Sequence, residues 1–331
     1  MHIPDNYLSP STCAVLGTAM VPVWAVSVKK VKAEIPKEKI PLLGIGAAFS
    51  FLGMMFNIPL PGGTTGHAVG GTLIAALCGP YAACISVTIA LLVQALLFGD
   101  GGILAFGANC FNMAFVLPFV GYMVAQVLKH YLKGKHADSI AYGIGAYFGI
   151  NAAALCAAIE FGVQPLLFTD AAGKALYCPY PLGVAVPAMM IGHLTVFGAA
   201  EVIFTVAVLA FMKKAAPDTA FVKKSHAVRP VYLLLTALIV LTPLGLLATG
   251  TAWGEWGMDE IAEVVSGGKA LGYTPAGMAG GMDFSALFPD YTVAGMPEWL
   301  GYILSAVIGA ALVIIIFKLI GSLKKSKVDF D

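Results

Sequence analysis

The stretch WLGYILSAVIGAALVIIIFKLIG (residues 299–321) decides the fold class. It has one charged residue, Lys318, and it is long enough to cross a bilayer, which takes about 20 mostly apolar residues as a helix. The whole chain agrees, because 59% of its 331 residues are hydrophobic, 11% are charged and the mean hydropathy is +0.86. Soluble chains carry about 25% charged residues. The sequence therefore predicts an all-α integral membrane protein, a polytopic helical bundle.

This composition excludes several classes of protein. A cytosolic enzyme needs more polar surface, and a net charge of +1 does not suit a nucleic-acid binder. The six cysteines show no pairing pattern typical of a disulfide framework or a metal site. The chain has no GxxxxGK[ST] phosphate-binding motif. If this protein takes part in ATP-driven transport, we expect the ATPase to be another polypeptide.

Nine apolar stretches are candidate membrane spans. The third is short and follows the glycine-rich segment 61–66, so we expect a broken or re-entrant element there, next to a lined cavity. The predicted spans are 8–28, 40–57, 67–78, 80–98, 103–128, 139–162, 183–212, 230–249 and 299–321.

The basic residues predict the orientation of these spans. If nine spans alternate, 17 of the 19 lysines and arginines fall on one side, and Lys174 and Lys269 fall on the other. Because positive loops stay in the cytoplasm, we expect an extracytoplasmic N-terminus and a cytoplasmic C-terminus in the cell membrane. We divide the chain into a seven-span unit (1–213), a cytoplasmic linker (214–229) and a two-span unit (230–331). The loop 250–298 of the last unit is acidic and is expected outside.

The chain begins MHIPDNYLSP (residues 1–10), a start that can chelate a metal ion. The Met1 amine, the His2 backbone nitrogen and His2 Nδ1 can supply three nitrogen ligands in one plane. Planar nitrogen coordination favours Ni(II) or Cu(II), and Co(II) also accepts nitrogen ligands. A histidine at the second position is not rare, however, and alone it predicts little. A fourth ligand is needed, and His67, next to the glycine-rich segment, is the best placed candidate.

Three further polar residues in apolar surroundings are candidates for a supporting role. Asn109 and Asn112 lie three residues apart and could orient the imidazoles, although helix–helix hydrogen bonding explains them equally well. His193 lies deeper in the seventh span, where a structural or supporting role is expected. A membrane-embedded hydrolase using His193 and Glu201 is a rival reading, but no HExxH motif or paired carboxylate spacing supports it.

The start MHIPD together with Gly66-His67 and the seven-span hydropathy resembles the substrate-binding S component of nickel/cobalt energy-coupling-factor (ECF) transporters, the NikM/CbiM family. Residues 230–331 resemble the two-span N component, NikN/CbiN, through TPLGLL (242–247) and GTAWGEW (250–256). The family binds its metal through the N-terminal amine, the nitrogens of the second-position histidine and a histidine matching His67. One departure is Asn6, where the family has glycine; asparagine tolerates the left-handed backbone of such a turn.

The resemblance implies a substrate-capture subunit of an ATP-driven importer of Ni(II), with Co(II) as the close second, and not an enzyme. It implies Met1, His2 and His67 as metal ligands, a transmembrane coupling subunit and two cytoplasmic ATPases as partners, and help from the two-span unit in loading the ion. Two alternatives stay open: a cobalt-specific importer subunit serving cobalamin synthesis, and a secondary metal transporter driven by protons.

Overall fold

The computed structural model describes residues 1–61, 63–215, 228–266 and 269–323. These residues are mostly helical, with two short β-hairpins, so the predicted all-α class is confirmed. The centre of the predicted linker, 216–227, lies outside the described residues. So do Lys324, Lys325 and Lys327.

Seven helical stretches among the described residues are long and apolar enough to cross a membrane. Each coincides with a predicted span to within a few residues at most ends. They are Pro10–Glu34, Pro80–Phe98, Phe106–Tyr131, Ala137–Leu167, Leu182–Lys214, Arg229–Leu247 and Glu298–Leu323.

These stretches consist of α-helices, which π-helical and 3₁₀ turns continue or connect. The α-helices are α1 (Pro10–Glu34), α2 (Ile40–Met54), α3 (Gly71–Cys78), α4 (Pro80–Val93), α5 (Phe106–Asn109), α6 (Leu117–Tyr131), α7 (Ala137–Gly162), α8 (Gln164–Leu167), α9 (Leu182–Gly192), α10 (Gly198–Ala215), α11 (Val228–Leu241), α12 (Ala276–Ala279) and α13 (Glu298–Leu323). The π-helical turns are Gln94–Phe98, Cys110–Val116 and His193–Phe197, and the 3₁₀ turns are Lys37–Lys39, Thr242–Leu247 and Pro289–Tyr291. The strands are β1 (Ile58–Leu60), β2 (Thr64–Gly66), β3 (Val265–Ser266) and β4 (Lys269–Ala270).

The two remaining predicted spans, 40–57 and 67–78, are shorter than a full crossing. Helix α2 has 15 residues and α3 has 8, which correspond to about 22 Å and about 12 Å of helix. Helix α2 is apolar because it is central, with 13 of its 15 residues buried. Burial inside a bundle and contact with lipid produce the same hydropathy, so hydropathy overstated its length.

The segment between these two helices is irregular, as expected for a broken element. The glycine-rich stretch supplies the second strand of an antiparallel pair in which β1 pairs with β2, with Ile58 opposite Gly66. Gly70 then adopts a left-handed backbone (φ 74°) directly before α3. This geometry turns the chain sharply and leaves His67 and Ala68 in a buried loop between strand and helix.

The predicted two-span unit packs against the preceding part of the chain through α13 and α2. A side chain at Gly309 would clash with the Phe51 ring, and one at Gly44 would lie 3.0 Å from Ile314 and Phe317. In a membrane the hydrophobic effect does not drive helices together, so they associate through close packing, which small residues permit. Tyr302 adds a hydrogen bond from its hydroxyl to the Met55 carbonyl at 2.9 Å. The two units therefore meet at the central helix, beside the hairpin.

Candidate metal site

The first residues of the chain fold back into the interior. Asn109 holds Ile3 at both backbone groups: Ile3 N–H donates to Asn109 Oδ1 at 2.7 Å, and Asn109 Nδ2 donates to the Ile3 carbonyl at 2.9 Å. The Gly102 N–H donates to the same carbonyl at 2.9 Å. Met1, His2 and Ile3 are at most 4% exposed. The side-chain amide of Asn109 thus acts as a docking point for the opening tripeptide.

Asp5 holds the N-terminal tail (residues 1–5) at a second point. Its carboxylate accepts hydrogen bonds from the backbone N–H groups of Ile103 at 2.9 Å and Leu104 at 2.7 Å, just before α5 begins at Phe106. An acidic side chain at such a helix start satisfies free N–H groups and meets the positive end of the helix. Gly102 is required here, because a side chain would clash with Asp5.

Asn6 turns the chain away from the site and ties it to the loop 250–298. Its backbone is left-handed, with φ 68°, as the sequence analysis expected of this residue. Its side chain makes a paired contact with Met282: Asn6 Nδ2 donates to the Met282 carbonyl, and the Met282 N–H donates to Asn6 Oδ1, both at 2.9 Å. A glycine could keep this turn but would lose the contact between the two units.

Two buried imidazoles meet beside the docked tail. His67 Nε2 lies 3.1 Å from His2 Nδ1, and the ring centroids are 4.9 Å apart. Two nitrogens bound at right angles to one ion, each at about 2.0 Å, lie about 2.8 Å apart. The observed separation is therefore close to that of neighbouring ligands in a planar complex.

The burial of both rings keeps them neutral. Desolvation lowers the pKa of His2 to about 4 and the pKa of His67 well below its ordinary value; the charge of the Met1 amine also lowers both. Neutral imidazole is the form that binds a metal ion, and a protonated ring cannot.

Two carboxylates approach the same group of nitrogens. The Met1 amine makes an ion pair with Glu255 at 3.0 Å, and His2 Nδ1 lies 3.2 Å from Asp100 Oδ1. Glu255 and Asp100 are 23% and 20% exposed, so each joins the buried nitrogens to a wetter region. The carboxylates thereby balance the charge of the amine and accept from the neutral His2 ring.

Asp100 is held in place by residues of both units. Its second oxygen, Oδ2, accepts from the Tyr291 hydroxyl at 2.5 Å and from Gln94 Nε2 at 2.9 Å. Gln94 Nε2 also lies 2.8 Å from the Tyr291 hydroxyl, and the Tyr291 ring stacks on Phe98 with centroids 4.8 Å apart. Burial raises the pKa of Asp100 above its ordinary value. The loop 250–298 therefore reaches the residue that contacts His2.

His67 is positioned from behind by Glu201. The two carboxylate oxygens accept from the Val69 N–H at 2.7 Å and from the Gly70 N–H at 3.0 Å. Glu201 is fully buried in α10, and its partners are the second and third residues after His67. Glu201, a residue of the rival hydrolase hypothesis, thus anchors the loop that presents His67.

The remaining candidates have other partners. Asn112 donates to Glu160 at 2.8 Å, away from the opening dipeptide, so the orienting contact comes from Asn109. His193 Nδ1 lies 2.8 Å from the Met189 carbonyl in its own helical turn. The structure thus brings together Met1, His2 and His67, with Asn109 beside them. Asp5, Asp100, Glu255 and Tyr291 are neighbours that sequence reasoning did not identify.

The side chains alone do not form a ready metal site. Among the residues that the structure describes, no group of three or more His, Cys, Asp or Glu side chains could hold a metal ion. A four-nitrogen site at this position must therefore use the Met1 amine and the His2 backbone nitrogen together with the two imidazoles. The backbone nitrogen binds a metal after losing its proton, so binding there would release protons.

The chain is similar to known metal transport proteins over nearly its whole length. Residues 2–219 match the family model CbiM, described as the cobalt uptake substrate-specific transmembrane region, and residues 229–326 match the PDGLE domain. The chain is 52% identical over 321 residues to the "Probable fused nickel transport protein LarMN" of Lactiplantibacillus plantarum, covering 96% of this chain and 97% of that protein. It is 48% identical over 330 residues to the "Fused nickel transport protein NikMN" of Rhodobacter capsulatus, covering 95% of each.

A solved structure resembles about two thirds of this chain. It is the "Crystal Structure of an Truncated Transition metal Transporter", which is 57% identical, with a TM-score of 0.61. The match covers 64% of this chain and 98% of that one.

Proposed function

Because the chain belongs to the CbiM family of cobalt-uptake transmembrane regions and continues into a PDGLE domain, we propose that it captures Ni(II), with Co(II) as the close second, for an ATP-driven importer. The relatives named as nickel transport proteins match it from end to end and support nickel. The family description names cobalt, so a cobalt-specific subunit is the alternative.

The observation that carries this proposal is the meeting of the first two residues with His67. His67 Nε2 lies 3.1 Å from His2 Nδ1, and the Met1 amine belongs to the same buried group. The ion is bound by the Met1 amine, the His2 backbone nitrogen, His2 Nδ1 and His67 Nε2. Four nitrogens in a plane suit Ni(II), whereas the carboxylates nearby would suit harder cations.

Capture requires that the ion replace the contacts now made by these nitrogens. The Met1 amine must give up its proton and its ion pair with Glu255. The proton of the neutral His2 ring must move from Nδ1, where it faces Asp100 and His67, to Nε2, so that the Nδ1 lone pair can bind the ion. Asn109 and Asp5 hold the backbone on both sides of this change, so the tail does not have to find its place anew. The site is therefore largely prepared before the ion arrives.

Import then depends on partners. A transmembrane coupling subunit and two cytoplasmic ATPases move this subunit so that the ion leaves toward the cytoplasm. We place the N-terminus and the loop 250–298 on the extracytoplasmic side, in agreement with the distribution of lysines and arginines.

Transport in liposomes tests the proposal against a proton-driven carrier. The purified chain, with its native first residue, is expected to bind one nickel ion and move none. Uptake should begin when the coupling subunit, the ATPases and ATP are all present. Uptake by the chain alone under a proton gradient would refute the proposal, and so would failure of the parent chain to bind nickel or cobalt.

A further inference from the structure

A polar cavity of about 590 Å³ lies between the two units and ends at the candidate metal site. It is lined by His2, Thr65 and His67 of the first unit and by Thr249 and Thr251 of the second unit, among others. A water molecule takes up about 30 Å³ in the liquid. The cavity therefore has room for a metal ion that still carries its first shell of water.

Four carboxylates line this cavity, and they differ in depth. Asp290 and Glu298 are exposed, whereas Asp100 and Glu255 are partly buried and contact His2 and the Met1 amine. Among the described residues that line the cavity there is no lysine or arginine. The negative charge thus extends from the solvent-facing residues to the buried nitrogens.

The fold sets the backbone position of both exposed carboxylates. Asp290 has a left-handed backbone with φ 52° in the turn that also places Tyr291 against Asp100. Glu298 is the first residue of α13, where a negative charge is favourable at the helix start. The loop is therefore built to present these charges at this cavity.

We propose that this cavity is the entry path for hydrated divalent transition-metal ions and that Asp290 and Glu298 steer them into it. The inference rests on the proposed function, because it assumes that the ion is bound at Met1, His2 and His67. A cleft with one sign of charge focuses the electric field and raises the local concentration of the opposite ion. The two-span unit thereby speeds capture, while the affinity of the occupied site depends on the four nitrogens.

The kinetics of nickel binding test the proposal. Nickel is mixed with the purified full chain, and quenching of the fluorescence of Trp253 and Trp256, which flank Glu255, is followed by stopped flow. In the double variant Asp290→Asn with Glu298→Gln, the association rate constant at about 0.01 M ionic strength should fall about three- to tenfold. The difference should nearly vanish at about 1 M salt, where the Debye length is about 3 Å. The dissociation rate should stay at the parent value.

Two matched variants keep the result specific. Asp259→Asn with Glu263→Gln removes two exposed charges from the same loop but away from the cavity, and it should change the association rate less than twofold. Glu298→Asp keeps the charge and should bind at nearly the parent rate, which separates charge from folding.

Three results would overturn the entry path: an unchanged association rate in the Asp290/Glu298 variant, an equal slowing in the Asp259/Glu263 variant, or a change confined to the dissociation rate. In each case nickel still binds, so the proposed function survives. A parent chain that binds neither nickel nor cobalt would overturn both proposals.

Discussion

Replacing Asn109 by alanine should weaken nickel binding without unfolding the protein. Asn109 makes two buried hydrogen bonds to Ile3, at 2.7 and 2.9 Å. Alanine removes both and leaves the Ile3 N–H buried without its partner, whereas the Ile3 carbonyl keeps the Gly102 N–H. A buried polar group left unpaired costs about 1–3 kcal/mol, so the docked tail loses about 2 kcal/mol. Since 1.4 kcal/mol is a factor of ten, the apparent Kd for nickel should rise by up to about thirtyfold.

Isothermal titration with nickel on protein that keeps its native first residue measures this change. Asn112→Ala is the matched control, because it removes a buried amide one helical turn away that contacts Glu160 and not the tail. We expect its Kd to stay within about threefold of the parent. The reasoning is refuted if Asn109→Ala binds as tightly as the parent, or if Asn112→Ala weakens binding equally while both variants keep the parent melting temperature.

Three further perturbations follow from individual contacts. Glu201→Gln weakens the hydrogen bonds to the Val69 and Gly70 N–H groups, so it should raise the nickel Kd several-fold while the melting temperature of the protein stays unchanged. An unchanged Kd in titration would contradict the positioning of His67 by Glu201. Asn6→Gly keeps the left-handed turn but removes two hydrogen bonds to Met282, which contribute about 1 kcal/mol each. Hydrogen exchange at the Met282 amide should therefore quicken about thirtyfold. The same exchange rate as in the parent would mean that other contacts hold the loop. Acidification should release the tail between pH 6.5 and about 4. When the tail is undocked, His2 takes up a proton near its ordinary pKa of 6.5, whereas burial lowers the pKa of docked His2 to about 4. The stability of the docked tail is thus full above pH 6.5 and falls by about 3 kcal/mol toward pH 4, and proteolysis of the first ten residues that is independent of pH over this window would refute it.

The membrane fold could be predicted from the sequence because hydropathy adds along a chain. Seven predicted spans correspond to long apolar helices. The lengths of 40–57 and 67–78 could not be predicted, since a buried central helix such as α2 is as apolar as one facing lipid. The ends of α3 depend on a hairpin and on the left-handed Gly70, which are features of backbone geometry.

The meeting of His2 with His67 could be predicted because the opening dipeptide offers its own chelating atoms and lacks one ligand. The contacts that complete the site could not. Glu255 is 254 residues from Met1 in the chain, and Tyr291 is 191 residues from Asp100. In the sequence Glu255 is one of seven acidic residues of an acidic loop, where a solvated carboxylate and a partner of the amine look the same.

For a related reason, the sequence did not decide whether Asn109 supports the imidazoles or makes a hydrogen bond between helices. Both it and Asn112 lie in an apolar helix, and each needs a hydrogen-bond partner once buried. Which partner each finds depends on the path of the tail, which places Ile3 beside Asn109 and leaves Asn112 to Glu160.

X-ray absorption spectroscopy of the nickel-loaded protein, with its native first residue, tests the binding of the ion most directly. Four nitrogen donors in a plane, two of them imidazoles, are predicted, and this signature should disappear when one alanine is added ahead of Met1. A six-coordinate ion with oxygen donors, or the same spectrum from the extended chain, would contradict the account.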